Sequence, residues 1–186
     1  MKKFILGLLL VFASVCCFAG ENENGVGMYV KAGVGYAFWA PEVNNVYCES
    51  DCFEIEAAFG LFPITGNRNF AVEATVDANF GGKDEMKTMV IAPKVMSLFY
   101  IPMESLFGNG SLVEHFKPYT GIGFSVPIQK VEYANVSEMN TSFKLDLQIG
   151  CGFEINDKLS ICVDWNSGLL RPWNWSVKAG VMYIFK

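Results

Sequence analysis

Basic clusters are missing from this chain. Its 186 residues carry 14 Lys and Arg against 19 Asp and Glu, and the basic residues are scattered. A nucleic-acid surface needs clustered positive charge, so nucleic acid is excluded as a partner. Histidine is nearly absent, with His115 the only one. That removes most general-base and metal-ligand constellations. Ser, Asp and Glu form no recognisable catalytic arrangement, and Gly108-Asn109-Gly110 is turn chemistry rather than a phosphate loop. No catalytic residue, metal or cofactor is expected. Long uncharged apolar runs are also absent beyond residue 18. The longest, Met89 to Met103, is interrupted by Pro93, Lys94 and Pro102, which excludes membrane-crossing helices there. No linker, low-complexity tract or second domain is visible.

The first residues differ from the rest. Lys2 and Lys3 precede the apolar stretch Phe4 to Phe18, and Cys17-Phe18-Ala19 precedes Gly20. This predicts a cleavable signal peptide over residues 1–19. Ser14-Val15-Cys16 before Cys17 is a poor lipidation signal. Removing 19 of 186 residues leaves 167, with 12 basic and 19 acidic side chains.

What the remaining chain does have is period two, the repeat of a β-strand. Eight segments show it. In the third, Phe70, Val72, Ala74, Val76, Ala78 and Phe80 share a face opposite Ala71, Glu73, Thr75, Asp77 and Asn79. In the sixth, Phe143, Leu145, Leu147, Ile149, Cys151 and Phe153 oppose Lys144, Asp146, Gln148, Gly150, Gly152 and Glu154. The fourth is ambiguous, and its phase is chosen to turn Lys94 away from the apolar face of Met89, Ile91, Val95, Phe99 and Ile101. Short turns are expected at 65–69 and 156–158, and longer loops at 40–52, 129–141 and 167–174. The connection over 104–116 is unusually long.

Alternation alone does not say which face is the core, because a soluble barrel and a membrane barrel invert it. Three features choose the membrane. The polar face is rich in glycine (Gly33, Gly35, Gly60, Gly121, Gly123, Gly150, Gly152, Gly180), which suits a crowded small-barrel interior. Its charges are mixed: Lys31, Lys94, Lys144 and Lys178 can pair with Glu54, Glu56, Glu73, Asp77, Asp146, Glu154 and Asp164 as an internal network. Aromatics sit at strand ends, as membrane interfaces require. Trp39, Trp165, Trp173 and Trp175 lie at one end, and Tyr29, Phe62, Phe70, Tyr100, Phe153, Tyr183 and Phe185 near the other. The expected fold is all-β, an eight-stranded antiparallel up-and-down transmembrane barrel whose last strand closes on its first.

The segments KPYTGIGFSVP and LQIGCGFEINDKLSICVDW, with the terminal KAGVMYIF, resemble bacterial outer-membrane β-barrel proteins of the OmpA/OmpX type over the whole mature chain. The ending is similar to that family's assembly signal, here Lys178, Gly180, Tyr183 and Phe185, although this chain adds Lys186. The resemblance implies residues 20–26 as a short periplasmic segment and 27–186 as the barrel. It implies long loops outside, contact with outer-membrane lipid, insertion by the barrel assembly machinery after secretion, and a monomer. It implies no particular activity. Cys48 and Cys52 fall in the first outer loop, where an oxidising compartment favours a disulfide. Aligning faces across the 156–158 turn sets Cys151 opposite Val163, with Cys162 inward. The expected function is a structural or surface-interaction role without enzymatic activity. A narrow solute channel and a soluble barrel binding an apolar ligand are the alternatives.

Overall fold

Side-chain alternation is visible directly as alternating burial. The computed structural model describes residues 27–43, 46–62, 68–108, 111–133, 136–170 and 173–185. Residues 1–19, expected to be a signal peptide, residues 20–26 and Lys186 lie outside the described residues. The elements are β1 (Gly27–Trp39), β2 (Glu42–Val43), β3 (Val46–Tyr47), β4 (Ser50–Phe62), β5 (Phe70–Lys83), β6 (Met86–Tyr100), α1 (Met103–Phe107), α2 (Ser111–His115), β7 (Phe116–Ser125), β8 (Ile128–Tyr133), β9 (Val136–Thr141), β10 (Lys144–Asn156), β11 (Leu159–Gly168) and β12 (Asn174–Phe185). Along β4, Cys52, Glu54, Glu56 and Ala58 are buried while Phe53, Ile55 and Ala57 are exposed. Polar side chains point in and apolar ones out, the inverse of a soluble barrel.

Eight wall strands close in the order β1, β4, β5, β6, β7, β10, β11, β12, every neighbour antiparallel. Strand β12 seals the ring against β1 from Met28↔Phe185 to Trp39↔Asn174, so the wall has no free edge. One circuit along the ladder leaves β1 at Met28 and passes Leu61, Val72, Ser97, Ile122, Leu147, Ser167 and Trp175. It returns at Phe38, ten residues up the same strand (38 − 28 = 10). This stagger fixes the strand tilt at about 35–45°.

Where the pattern weakens, the structure departs from expectation. The anticipated loop over 129–141 is a hairpin, β8–β9. Strand β8 keeps the register of β7 against β6 (Lys94↔Ser125, Ile91↔Ile128), so the two are one strand interrupted at Val126 and Pro127. The Val126 N–H still donates to Pro93 O at 3.0 Å. The first outer loop holds the small β2–β3 ladder, and β4 begins at Ser50. The long connection over 104–116 is helical, containing α1 and α2. At the β10–β11 turn, Cys151 opposes Val163 as expected, but a bulge between Glu154 and Asn156 pairs Asn156, not Ile155, with Leu159. Asn156 Oδ1 accepts from the Lys158 and Leu159 N–H groups at 2.9 and 3.0 Å, which sets the turn.

Five of the inward glycines have a common cause. Gly60 lies opposite Tyr29 and Gly150 opposite Tyr119. A Cβ at either position would run into the tyrosine ring. Gly121 and Gly123 stand in the same relation to Leu98 and Met96, and Gly35 to Lys178. Each glycine lets a large neighbour lie flat across the narrow interior. Gly60→Ala should therefore displace the Tyr29 ring and destabilise the barrel by about 1–3 kcal/mol, measured by urea unfolding in lipid vesicles.

Candidate functional site

Among the described residues charge is concentrated in the interior, which is built in layers. The middle layer is ionic. Lys31 Nζ on β1 reaches Glu56 Oε1 at 3.1 Å, Glu73 Oε1 at 3.1 Å and Asp164 Oδ2 at 3.2 Å. Lys178 Nζ on β12 reaches Glu54 Oε1 at 3.0 Å and Asp77 Oδ1 at 3.1 Å, and also Glu56. Lys94 pairs with Asp77. Neutral donors take up remaining carboxylate lone pairs. Tyr29 Oη donates to Glu73 at 2.8 Å, Thr75 Oγ1 to Glu73 at 3.1 Å, Gln148 Nε2 to Asp164 at 3.2 Å and Ser176 Oγ to Glu54 at 3.3 Å, while Tyr119 donates to Asp164. Alternation places the charged groups on one concave face from six strands and their neutral partners Tyr119 and Gln148 from the other two, and pairing offsets the desolvation that isolated buried charges would suffer.

Eight of the eleven charges expected in the lumen meet in this network. The other three do not. Lys144 Nζ donates to Asn174 Oδ1 at 2.6 Å and lies 4.6 Å from the Trp39 ring centroid, a cation–π contact near the outer end. Asp146 is buried with Oδ2 lacking a hydrogen bond. Glu154 lines the inner mouth, beside Arg68, Asn69, Lys117 and Ser160, around a cavity of about 190 Å³ floored by Phe62, Tyr100, Met182 and Ile184.

Below the ions the interior is largely apolar, and above them a small apolar cluster is mixed with buried Asn79, Thr88, Gln129 and Asn166. Toward the inner end Tyr29, Phe62, Met96, Leu98, Tyr119, Cys162, Met182 and Ile184 cluster with Tyr100. Ring centroids are 5.3 Å apart for Tyr29–Phe62, 5.8 Å for Phe62–Tyr100 and 4.9 Å for Tyr100–Tyr119. Toward the outer end Ala37, Trp39, Cys52, Val90 and Ala92 pack together. Tyr29, Phe62 and Tyr100 thus belong to an internal plug and not to the inner girdle, and Trp39 is inside and not in the outer girdle. Their phase carried the signal: each directly adjoins an outward residue, Val30, Leu61, Phe99 or Phe38, and so must point inward.

The outward face carries the remaining aromatics. Trp165, Trp173 and Trp175 are exposed, and Trp175 stacks on Phe38 at 6.1 Å. Near the inner rim Phe99, Ile101, Phe116, Phe153, Tyr183 and Phe185 form an apolar row. Tyr183 and Phe185 meet edge to face at 5.2 Å. Of the residues resembling an assembly signal, these two face outward, Lys178 lies in the ionic layer and Gly180 sits against Gly33 in the closing ladder. Thr120 is one of few polar residues on the outward wall, with Ser97 and Ser167, and its Oγ1 donates to Gln148 O at 3.2 Å.

The expected Cys48–Cys52 disulfide is not formed. Cys52 lies on the inward face of β4, with Sγ 3.5 Å from Ser50 Oγ, while Cys48 packs against Met86 and Val131. Cys162 is buried inside and Cys151 lies on the outward face, as the register requires. Among the described residues no group of three or more His, Cys, Asp or Glu side chains is arranged to hold a metal. His115 lies at the inner rim, its ring 5.9 Å from Phe153.

Known proteins share this architecture. Neisserial surface protein A has a TM-score of 0.65 at 12% identity, with 84% of this chain and 96% of that one covered. The N-terminal barrel domain of Pseudomonas aeruginosa OprF has a TM-score of 0.56 at 12% identity, covering 86% and 97%. Ail, the attachment invasion locus protein of Yersinia pestis, has a TM-score of 0.55 at 14% identity, covering 86% and 99%. No curated protein sequence matches. The family described as the outer membrane protein beta-barrel domain matches residues 5–185. With apolar residues outward on a closed eight-strand wall, the soluble-barrel alternative falls, and the chain belongs to the outer-membrane β-barrel family.

Proposed function

We propose that this barrel has a structural and surface-contact role in the outer membrane, without enzymatic activity, and acts through its outer hairpin and not through its lumen. The observation that carries this reading is the filled interior. Ile184 and Tyr29, Lys31 and Lys178, and Val90 and Trp39, which span the interior from its inner to its outer end, are each at most about 4% exposed. A water-wide path would leave its lining accessible, and eight strands enclose an interior that side chains can fill.

The outer end offers contact surface instead. The β8–β9 hairpin continues past the wall, its tip and edge presenting Tyr133, Val136 and Met139 to solvent. Among the described strands, β9 pairs only with β8, so its other edge has unpaired backbone groups available to a partner strand. Attachment is the role named for the Yersinia pestis neighbour. In this reading the chain is secreted through the inner membrane, inserted by the barrel assembly machinery, and works as a monomer surrounded by lipid.

Planar-bilayer recording of the purified barrel should show no steady conductance steps. Steady steps would replace this reading with the narrow channel. Trypsin added to intact cells should cut at Lys130 on the hairpin and leave a core that still migrates as a heat-modifiable barrel. Protection of Lys130 there would place the hairpin on the wrong side of the membrane for surface contact.

A further inference from the structure

Closing two adjacent antiparallel strands takes two residues, as Asp157 and Lys158 show between β10 and β11. Between β6 and β7, residues 101–115 intervene and form α1 and α2. The turn starts at the rim of the inner-mouth cavity, which Ile101 and Pro102 help to line, and its second helix lies against the outside of the wall. The His115 ring packs on Phe153, and Phe153 is on the outward face, so α2 meets the wall from outside. The residues flanking the turn, Ile101 and Phe116, continue the lowest row of the lipid-facing belt. On α1, Leu106 and Phe107 are 64% and 69% exposed, more than nearly every apolar side chain of the belt itself.

We propose that this turn is an interfacial anchor whose Leu106 and Phe107 are buried in the phospholipid of the inner leaflet. Continuity with the lipid belt argues for lipid and not for a protein partner: the helices adjoin a surface already covered by acyl chains. Short amphipathic elements in such positions sink about 5–10 Å into the headgroup region. The attraction is apolar. Residues 101–115 contain no Lys or Arg and include Glu104 and Glu114, so zwitterionic phospholipid is the preferred contact and salt has little effect. The proposal rests on the barrel's membership of its membrane family, not on any surface role.

A single-cysteine chain of residues 20–186 tests this, with Cys48, Cys52, Cys151 and Cys162 replaced by alanine and Leu106→Cys carrying an environment-sensitive fluorophore. One barrel is placed in each phosphatidylcholine nanodisc. The iodide quenching constant should be roughly fivefold lower than for the same label at Lys158→Cys on the neighbouring inner turn. It should change little on adding about 0.5 M salt, which screens charge but not apolar contact. Equal quenching at the two positions would overturn the proposal, and would leave a second copy or a periplasmic protein as the occupant. If the cysteine-free chain does not fold, relaxation of the Leu106 methyl resonances in the unaltered protein gives the same decision, through paramagnetic probes held in lipid or in water. Quenching of the native tryptophans by brominated lipid reports barrel insertion separately, so a failed anchor is not mistaken for a failed membrane protein.

Discussion

Lys178→Met should destabilise the barrel by about 3–5 kcal/mol, because it strands buried carboxylates without their cation. Lys178 is 2% exposed and is shared by Glu54, Glu56 and Asp77. After the change, Asp77 retains Lys94 and Glu56 retains Lys31. Glu54 keeps only its hydrogen bond from Ser176 among the contacts described. Glu54→Gln in the same chain removes that stranded charge and still accepts from Ser176, so the double variant should recover at least about 1 kcal/mol of the loss. Reversible urea unfolding in phosphatidylcholine vesicles measures both. Refolding there uses no assembly machinery, so any part Lys178 plays in an assembly signal leaves the result untouched. A loss below about 1 kcal/mol for Lys178→Met would show that water reaches the network and that the interior is not filled.

The wall of this barrel was legible because its two faces see different solvents. Wherever lipid meets one side and the packed interior the other, residues alternate. Even the weak fourth segment could be phased by requiring Lys94 to point inward, where it pairs with Asp77. The Cys151↔Val163 register followed from the same rule. Legibility ends where the asymmetry ends. Above the apolar belt β9 meets water on both faces, and β8 turns no more than Gln129 and Val131 inward. Lys130, Glu132, Ser137 and Asn140 then break the alternation, so a regular hairpin looks like a loop. The bulge at Ile155 depends on one Asn side chain capping a turn, which no periodicity records.

The lumen was legible in kind but not in detail. Composition named its charges, yet which acid meets which lysine depends on the ten-residue stagger, which brings together side chains 133 residues apart, Lys31 and Asp164. Aromatics misled for a physical reason. Tyr29, Phe62 and Tyr100 sit at strand ends, where both an interface girdle and an internal plug want large amphipathic rings. Only the phase of each residue separates the two. Trp39 was displaced from the girdle by the same one-residue difference, and there it covers Lys144.

Val34→Arg tests the outward face as Lys178→Met tests the inward one. Val34 is 52% exposed, a figure that in water would mark a site tolerant of charge. It lies between Ile55 on β4 and Ala179 on β12, with several residues of β1 separating it from either rim. An arginine there cannot turn inward, because the wall is closed and the interior is packed. To reach water it must bend along the apolar belt toward a headgroup. The expected loss is about 2–4 kcal/mol in vesicle unfolding, the range for a cationic side chain at the middle of a lipid-facing strand. Val136→Arg provides the contrast. Val136 is 45% exposed, nearly the same, but stands at the tip of the β8–β9 hairpin beyond the wall. Its replacement should change stability by no more than about 0.5 kcal/mol, as for an ordinary surface site. Two valines of similar accessibility and opposite response define where lipid ends and water begins. If Val34→Arg proved as harmless as Val136→Arg, the surface around β1 would be wet, and the apolar belt would need a partner other than a membrane.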